Sequence, residues 1–315
     1  MMNLSPRQRR ISLLVLLAPS LFWLAVFFLI PLLIVTAMSF GQRGTYGGIV
    51  WHLTLNNFAR LLDPLYMKIF WRSFSIAAIT TVICLLIGYP LAYWIARRAP
   101  NRRTLFIMLL IIPFWTNFLV RTYAWLLILR DQGLVNLAWT GPVHSAALWL
   151  ASALPGALTA SLSQVTAAPL GLFGTDIAII IGLVYGWLPD MVLPCYAAIE
   201  RYDFSLSEAA EDLYANRART FLRVVLPLTL PGIMAGSMLV FIPSLGAYVT
   251  PDLLGGARSV MIGNVIYSQF MAARDYPFGA AVATGLMAVM VIGTIIYFRK
   301  GSGTETEIQT VESGI

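Results

Sequence analysis

The chain reads as an all-α, polytopic membrane protein with six transmembrane helices, and three observations predict this. It is 59% hydrophobic and 11% charged, whereas an ordinary soluble domain is roughly 25% charged. Its apolar residues fall in runs long enough to cross a hydrocarbon core of about 30 Å, which takes roughly 20 helical residues. Its arginines cluster at the ends of those runs.

The runs are 11–40, 73–96, 105–129, 177–199, 229–249 and 278–298. Each is expected to be helical, because lipid offers a backbone no hydrogen-bond partner. The first is too long for a signal-peptide core and lacks a clear small-residue cleavage site, so it is read as retained. Residues 1–10 form a short basic N-terminus, 11–300 the membrane domain, and 301–315 (GSGTETEIQTVESGI) an acidic tail expected to be disordered.

Orientation follows from the basic residues. Arg7, Arg9 and Arg10 precede the first run, and Arg97, Arg98, Arg102 and Arg103 separate the second from the third. Arg201, Arg217, Arg219 and Arg223 lie between the fourth and fifth, and Arg299 and Lys300 follow the sixth. Six crossings place these thirteen of the 21 basic residues on one side. The positive-inside rule makes that side, with both termini, cytoplasmic. The net charge of +7 is therefore a topology signal, and its division among four membrane-adjacent patches argues against nucleic-acid binding.

The uncharged stretch 145–165 could be counted as a seventh crossing, but that would place two arginine clusters outside, and Pro155 with Gly156 breaks its centre. Residues 141–175 are read as an outer-face insertion, a hairpin or interfacial segment; two half-helices dipping into the membrane are the alternative. The outer loop 41–72 starts irregularly and then carries a short amphipathic helix around 56–62. Cys84 and Cys195 fall inside spans with no histidine nearby, which disfavours both a disulfide and a metal site. His52 and His144 lie in outer loops and receive no role.

One polar island interrupts the apolar pattern, residues 205–232 (SLSEAAEDLYANRARTFLRVVLPLTLPG). Ser205 followed by Glu208 has the spacing of a capping box. A helix is expected to begin there, to turn near residues 214–216, and to resume through 221–226 until Pro227 and Pro231 interrupt it. A surface helix pair between two spans has no role in holding the bilayer and reads as a docking element. No G-x-x-x-x-G-K-[ST] phosphate loop occurs, so the chain has no nucleotide site of that type.

Two ionisable residues lie at membrane depth, where charge is costly and faces a cavity or a partner. Arg121 is roughly 13 Å and Asp190 roughly 21 Å from the outer ends of their helices at 1.5 Å per residue. Three readings stand: an Arg121–Asp190 ion pair, Asp190 facing a pathway where it binds an ammonium group, or neither.

EAAEDLYA at 208–215, followed by F-x-x-V-x-L-P-L-T-L-P-G, resembles the EAA loop of ABC-importer permeases, the membrane subunits of binding-protein-dependent uptake systems. The resemblance implies a coupling helix seated in a groove of the cytoplasmic ATPase. By position Glu208, Ala209, Ala210, Asp212, Leu213 and Ala215 match, as do Phe221, Val224, Leu226 and Pro227 in the second half. The family's usual glycine after the leucine, which permits a tight turn, is Tyr214 here. GYPLAYWIA (88–96), PFWTNFLVRTYAW (113–125), LPLTLPG (226–232) and PDLLGGARSVMIGNVIYSQFMAARDYPFGAA (251–281) look like the spermidine/putrescine (PotB-like) permeases.

This resemblance implies the type I ABC importer permease fold in a bacterial inner membrane, a coupling loop at 200–228, and import of a small solute such as a polyamine. Iron, thiamine, opine or another amine is the alternative cargo. It also implies a cytoplasmic ABC ATPase dimer, a second permease subunit in a heterodimer, and an extracytoplasmic solute-binding protein. This chain would bind no cofactor; ATP and Mg belong to the ATPase. A polycation needs carboxylates for charge and aromatic faces for its ammonium heads. Trp115, Tyr123, Trp125, Trp187, Tyr248 and Asp252 join Arg121 and Asp190 as pathway candidates, each with packing or the interfacial belt as its bland alternative. Ala247 stands where several amine-type relatives are expected to carry an acid. A secondary transporter is the competing class; it would need ion-coupling carboxylates, of which Asp190 is the one deep example, and it would leave the island unexplained.

Overall fold

The computed structural model describes residues 17–45, 47–151, 168–256 and 259–312. In chain order the elements begin with α1 (Leu17–Ser39), the two-residue antiparallel pair β1 (Gln42–Arg43) and β2 (Ile49–Val50), and α2 (Asn56–Leu61). There follow α3 (Pro64–Ala96), α4 (Pro100–Trp115), α5 (Phe118–Leu129), α6 (Leu134–Ala138) and α7 (His144–Ala151). The second half holds α8 (Asp176–Glu200), α9 (Ser205–Asp212), α10 (Arg217–Leu245), α11 (Val249–Leu254), α12 (Ile262–Met271) and α13 (Tyr276–Glu312). Among the described residues five helices are long and apolar enough to cross a membrane, α1, α3, α8, α10 and the Tyr276–Tyr297 part of α13. The pair Pro100–Trp115 and Phe118–Trp149 makes a sixth if counted as one span.

That sixth span corrects the continuous helix expected over 105–129. It bends by 87°. Pro113 removes one helical N–H and crowds the preceding turn, the last turn of α4 tightens to 3-10 geometry, and Thr116 is extended at ψ 151°. Asn117 then starts α5 afresh, its Oδ1 accepting the Leu119 N–H at 2.8 Å.

Pro227 and Pro231 do not interrupt the helix after the island, contrary to expectation: α10 runs unbroken from Arg217 to Leu245. Phe221–Val225 forms a π turn just ahead of Pro227. The extra residue shifts the carbonyl that the proline ring would otherwise strike. The same device precedes Pro31 in α1, at Ala25–Leu29, and a third π turn encloses Pro142. Three boundaries also differ from the sequence reading. α3 starts at Pro64, nine residues before the expected 73. α10 stops at Leu245, short of 249, where Gly246 caps it. α13 extends as helix to Glu312 through most of the stretch expected to be disordered; adding a residue to an existing helix carries no nucleation cost. Residues 11–16, Pro155 and Gly156 lie outside the described residues.

Two compact units divide the chain, Met1–Met67 with Val265–Ile292, and Lys68–Asn264 with Gly293–Ile315. In the first, buried Asn57 donates to the carbonyls of Ser39 (2.9 Å) and Gly41 (2.8 Å). Arg60 pairs with buried Asp275 at 3.1 Å and lies 3.9 Å over the Phe278 ring. The loop between α1 and α3 is thereby latched to the start of α13.

In the second unit α3, α8 and α10 share a core of Cys84, Tyr89, Ala92, Met191, Val192, Cys195, Ile233 and Val240. Between helices in lipid, close packing supplies the attraction that hydrophobic burial supplies in water. Gly232 and Gly236, one turn apart on α10, provide it. A Cβ at Gly232 would lie 2.6 Å from the Pro194 carbonyl oxygen, and one at Gly236 3.0 Å from that of Met191.

Candidate functional site: the polar loop and the intramembrane charges

The loop between α8 and α10 is built from its first residues onward. Phe204 precedes α9 and has no side-chain cap. The capping role expected of Ser205 and Glu208 falls instead to Asp203, whose Oδ1 accepts the Ser205 N–H at 3.0 Å. Two bonds, first from the Ser205 backbone and then from its side chain, hold the Asp203 carboxyl below its usual range. Its negative charge also suits the positive end of the helix. Asp203 and Ser205 are both good capping residues, and the Ser205–Glu208 spacing alone points two residues late.

α9 ends in a Schellman turn. The Tyr214 N–H reaches the Glu211 carbonyl at 3.0 Å and the Ala215 N–H reaches that of Ala210 at 3.1 Å. The residue between these bonds must be left-handed, and Tyr214 is, at φ +62°. This conformation costs a non-glycine residue about 1 kcal/mol, so the turn that a glycine would make is made at a cost. Asn216 then caps α10 by accepting the Arg219 N–H at 2.8 Å.

Behind the turn, aromatic rings join the loop to the helix ends. Phe221 packs edge-on against Tyr89 (5.9 Å) and Tyr93 (6.4 Å), and Phe204 against Tyr93 (6.3 Å) and Tyr202 (5.2 Å). Arg97 lies over Tyr93 and Phe204 at 5.5 and 5.8 Å. A cavity of about 340 Å³ opens there, lined among others by Glu208, Glu211, Arg97, Arg217 and Phe221. Arg103 reaches Glu200 at 3.6 Å, and the Tyr196 hydroxyl donates to the same carboxylate at 2.6 Å. Of the matched residues, Glu208, Ala209, Asp212 and Leu213 are exposed, Ala210, Ala215 and Phe221 half-buried. Leu213 is 82% and Tyr214 96% exposed. In the sequence Arg97 signals only topology, and Tyr93 and Phe204 lie in or beside apolar runs; only the fold brings the three under the loop.

The intramembrane charges are arranged differently from the expected ion pair. Among the described residues no ion pair joins Arg121 to Asp190. The Arg121 guanidinium instead lies 4.5 Å over the Phe114 ring and 5.9 Å over Phe118. The sharp break at Thr116 and Asn117 carries Phe114 back within reach. Arg121 Nε and Nη1 are buried without a hydrogen-bond partner. Arg121 also lines a void of about 10 Å³, about the size of one water, shared with Trp125, Tyr185, Gly182 and Gly186. Asp190 is half-buried on α8, one and two turns beyond Gly186 and Gly182.

The remaining candidates are not brought into one constellation. Trp125 packs edge-on against Tyr185 at 5.4 Å. Trp187 is half-buried with its indole N–H unpartnered. Trp115 is 83% exposed at the end of α4. Tyr123, Tyr248 and Asp252 are exposed, and the Tyr248 carbonyl accepts from Asn264 at 2.9 Å.

Comparison with known proteins decides the class. Residues 88–299 match the family described as binding-protein-dependent transport system inner membrane component. The chain belongs to this family. It is a multi-pass inner-membrane permease subunit rather than an enzyme. The spermidine/putrescine transport system permease protein PotB of Haemophilus influenzae is 42% identical over 277 residues, covering 88% of this chain and 90% of that one. A bacterial ABC transporter involved in the import of the acidic polysaccharide alginate shares the fold of the permease, with a TM-score of 0.62, 16% identity, and coverage of 93% and 96%. A second structure of an alginate transporter, in complex with an alginate pentasaccharide-bound periplasmic protein, matches with TM-score 0.62 and 15% identity over 92% and 93%. The type I importer fold and its six-span count stand on this permease likeness together with the five helices and one bent pair.

Proposed function

We propose that this permease imports a polyamine, spermidine or putrescine, in a complex with a second permease subunit, two copies of a cytoplasmic ATPase and an extracytoplasmic solute-binding protein. The observation that carries the cargo is the 42% identity to a spermidine/putrescine permease across 88% of the chain. Support for the energy source is the loop 200–228, an exposed, capped helix pair on the side with the arginine clusters. Both termini lie on that cytoplasmic side. The loaded binding protein docks on the outer face, and ATP with Mg closes the ATPases. The two coupling helices are drawn together and the spans rock from inward- to outward-open.

Glu208, Ala209, Ala210, Asp212, Leu213, Ala215 and Phe221 form the coupling surface. Motion imposed on α9 passes through Phe221 and the aromatic cluster to α3 and α10. Along the pathway, Asp190 supplies a carboxylate for an ammonium group, because it is half-buried and no ion pair among the described residues occupies it. Trp115, Tyr123, Trp125, Trp187, Tyr248 and Asp252 supply aromatic faces and a further carboxylate, and Arg121 braces the broken helix against Phe114.

The coupling role is tested by Glu208→Lys in the reconstituted complex. Uptake should be abolished while all subunits still assemble or while ATP hydrolysis runs uncoupled; normal transport by this variant would refute the assignment.

A further inference from the structure

We propose that Tyr214 is an anchor whose ring is buried in a pocket of the partner ATPase. The inference rests on the coupling role proposed above and adds to it a specific residue and the chemistry of its receptor.

Two independent features single out Tyr214. It occupies the left-handed position of the Schellman turn at φ +62°, where a side chain is a liability. It is also 96% exposed, so its ring gains nothing within the chain to offset that strain. The preceding Leu213 is 82% exposed and the pair forms the tip of the loop. Strain and apolar exposure thus coincide at one point, where a partner surface would recover both.

The surroundings say what kind of surface that is. Glu211, Asp212, Arg217 and Arg219 are exposed on either side of the tip. Four charges this close forbid insertion into hydrocarbon, where each would be expensive. An apolar centre with a charged rim matches the anatomy of a protein interface, and tyrosine is among the residues enriched at its energetic centre. The receptor is therefore a protein groove in the aqueous phase. It has apolar walls for Leu213 and the Tyr214 ring, leaves the phenol hydroxyl at its wet rim, and carries both signs of charge at its edge. The backbone here is already fixed by the bonds from Tyr214 to Glu211 and from Ala215 to Ala210. The ring is presented from a pre-organised turn, which lowers the ordering cost of binding.

The experiment titrates the purified ATPase of this transporter against the permease complex in lipid nanodiscs, with thermal unfolding of the permease measured in parallel. Tyr214→Gly should raise the permease's own unfolding temperature, because the strain is relieved, yet weaken ATPase binding roughly tenfold or more. Tyr214→Ala should weaken binding as much, and Tyr214→Phe, which keeps the ring, should stay within about threefold of the wild type. ATPase binding by Tyr214→Gly as tight as by the wild type would overturn the anchor while leaving the coupling role intact. Failure of the wild-type permease to bind the ATPase at all would overturn the coupling role itself.

Discussion

The hydroxyl of Tyr89 on α3 lies 2.8 Å from Thr229 Oγ1 on α10, buried beneath the Phe221 ring that packs on Tyr89 at 5.9 Å. One residue thus holds the helix that follows the polar loop by a hydrogen bond and by a ring contact. Tyr89→Phe keeps the ring and removes the bond. Thr229 retains its own bond to the Val225 carbonyl at 2.9 Å, so the loss should be modest, about 1 kcal/mol. Thermal unfolding checks that figure. The ATP hydrolysed per solute imported should rise, because α3 then follows α10 less faithfully; an unchanged ratio would remove this bond from the coupling route.

Asp190→Asn should lower uptake of a diammonium solute roughly tenfold or more, given about 1.5–3 kcal/mol for a hydrogen bond to a charged group, with assembly intact. Arg121→Ala should lower stability by about 0.5–2 kcal/mol through the lost stacking on Phe114. Because the two side chains do not pair, their effects on stability should add within about 0.5 kcal/mol in a double-mutant cycle. An interaction energy well above that would place the ion pair in another working state of the transporter.

The class of protein is legible in the sequence for a physical reason. Lipid demands continuous helical hydrogen bonding and long apolar runs, and hydropathy reads those directly. The break at Thr116 and Asn117 is not legible in the same way, since the residues on both sides (IIPFW and FLV) are equally apolar and the average passes over it. Pro113 and Asn117 are the local signals, one removing a helical donor and the other capping a new helix. Pro227 misleads in the opposite sense, because a π turn absorbs it without a break. In the polar loop the residue pattern marks α9 and singles out Tyr214 as a departure. That Tyr214 is left-handed and bare of neighbours emerges only in three dimensions. The Arg121–Asp190 pairing fails because the 87° bend redirects the arginine onto Phe114.

Gly232 is the tightest point between α8 and α10. Gly232→Leu should destabilise the permease by about 1–3 kcal/mol or more, since no flexible side chain can retreat from the Pro194 carbonyl. The yield of assembled complex and its unfolding temperature report the effect. Stability equal to that of the wild type would mean that the two helices separate at no cost.

Labelled spermidine and putrescine uptake by the complete complex in proteoliposomes is the decisive measurement for an ATP-driven polyamine importer. Accumulation should require ATP, the binding protein and an intact Glu208. A complex whose ATPase responds to its loaded binding protein but accumulates neither amine would contradict the cargo, and amine uptake that persists without ATP would contradict the importer mechanism.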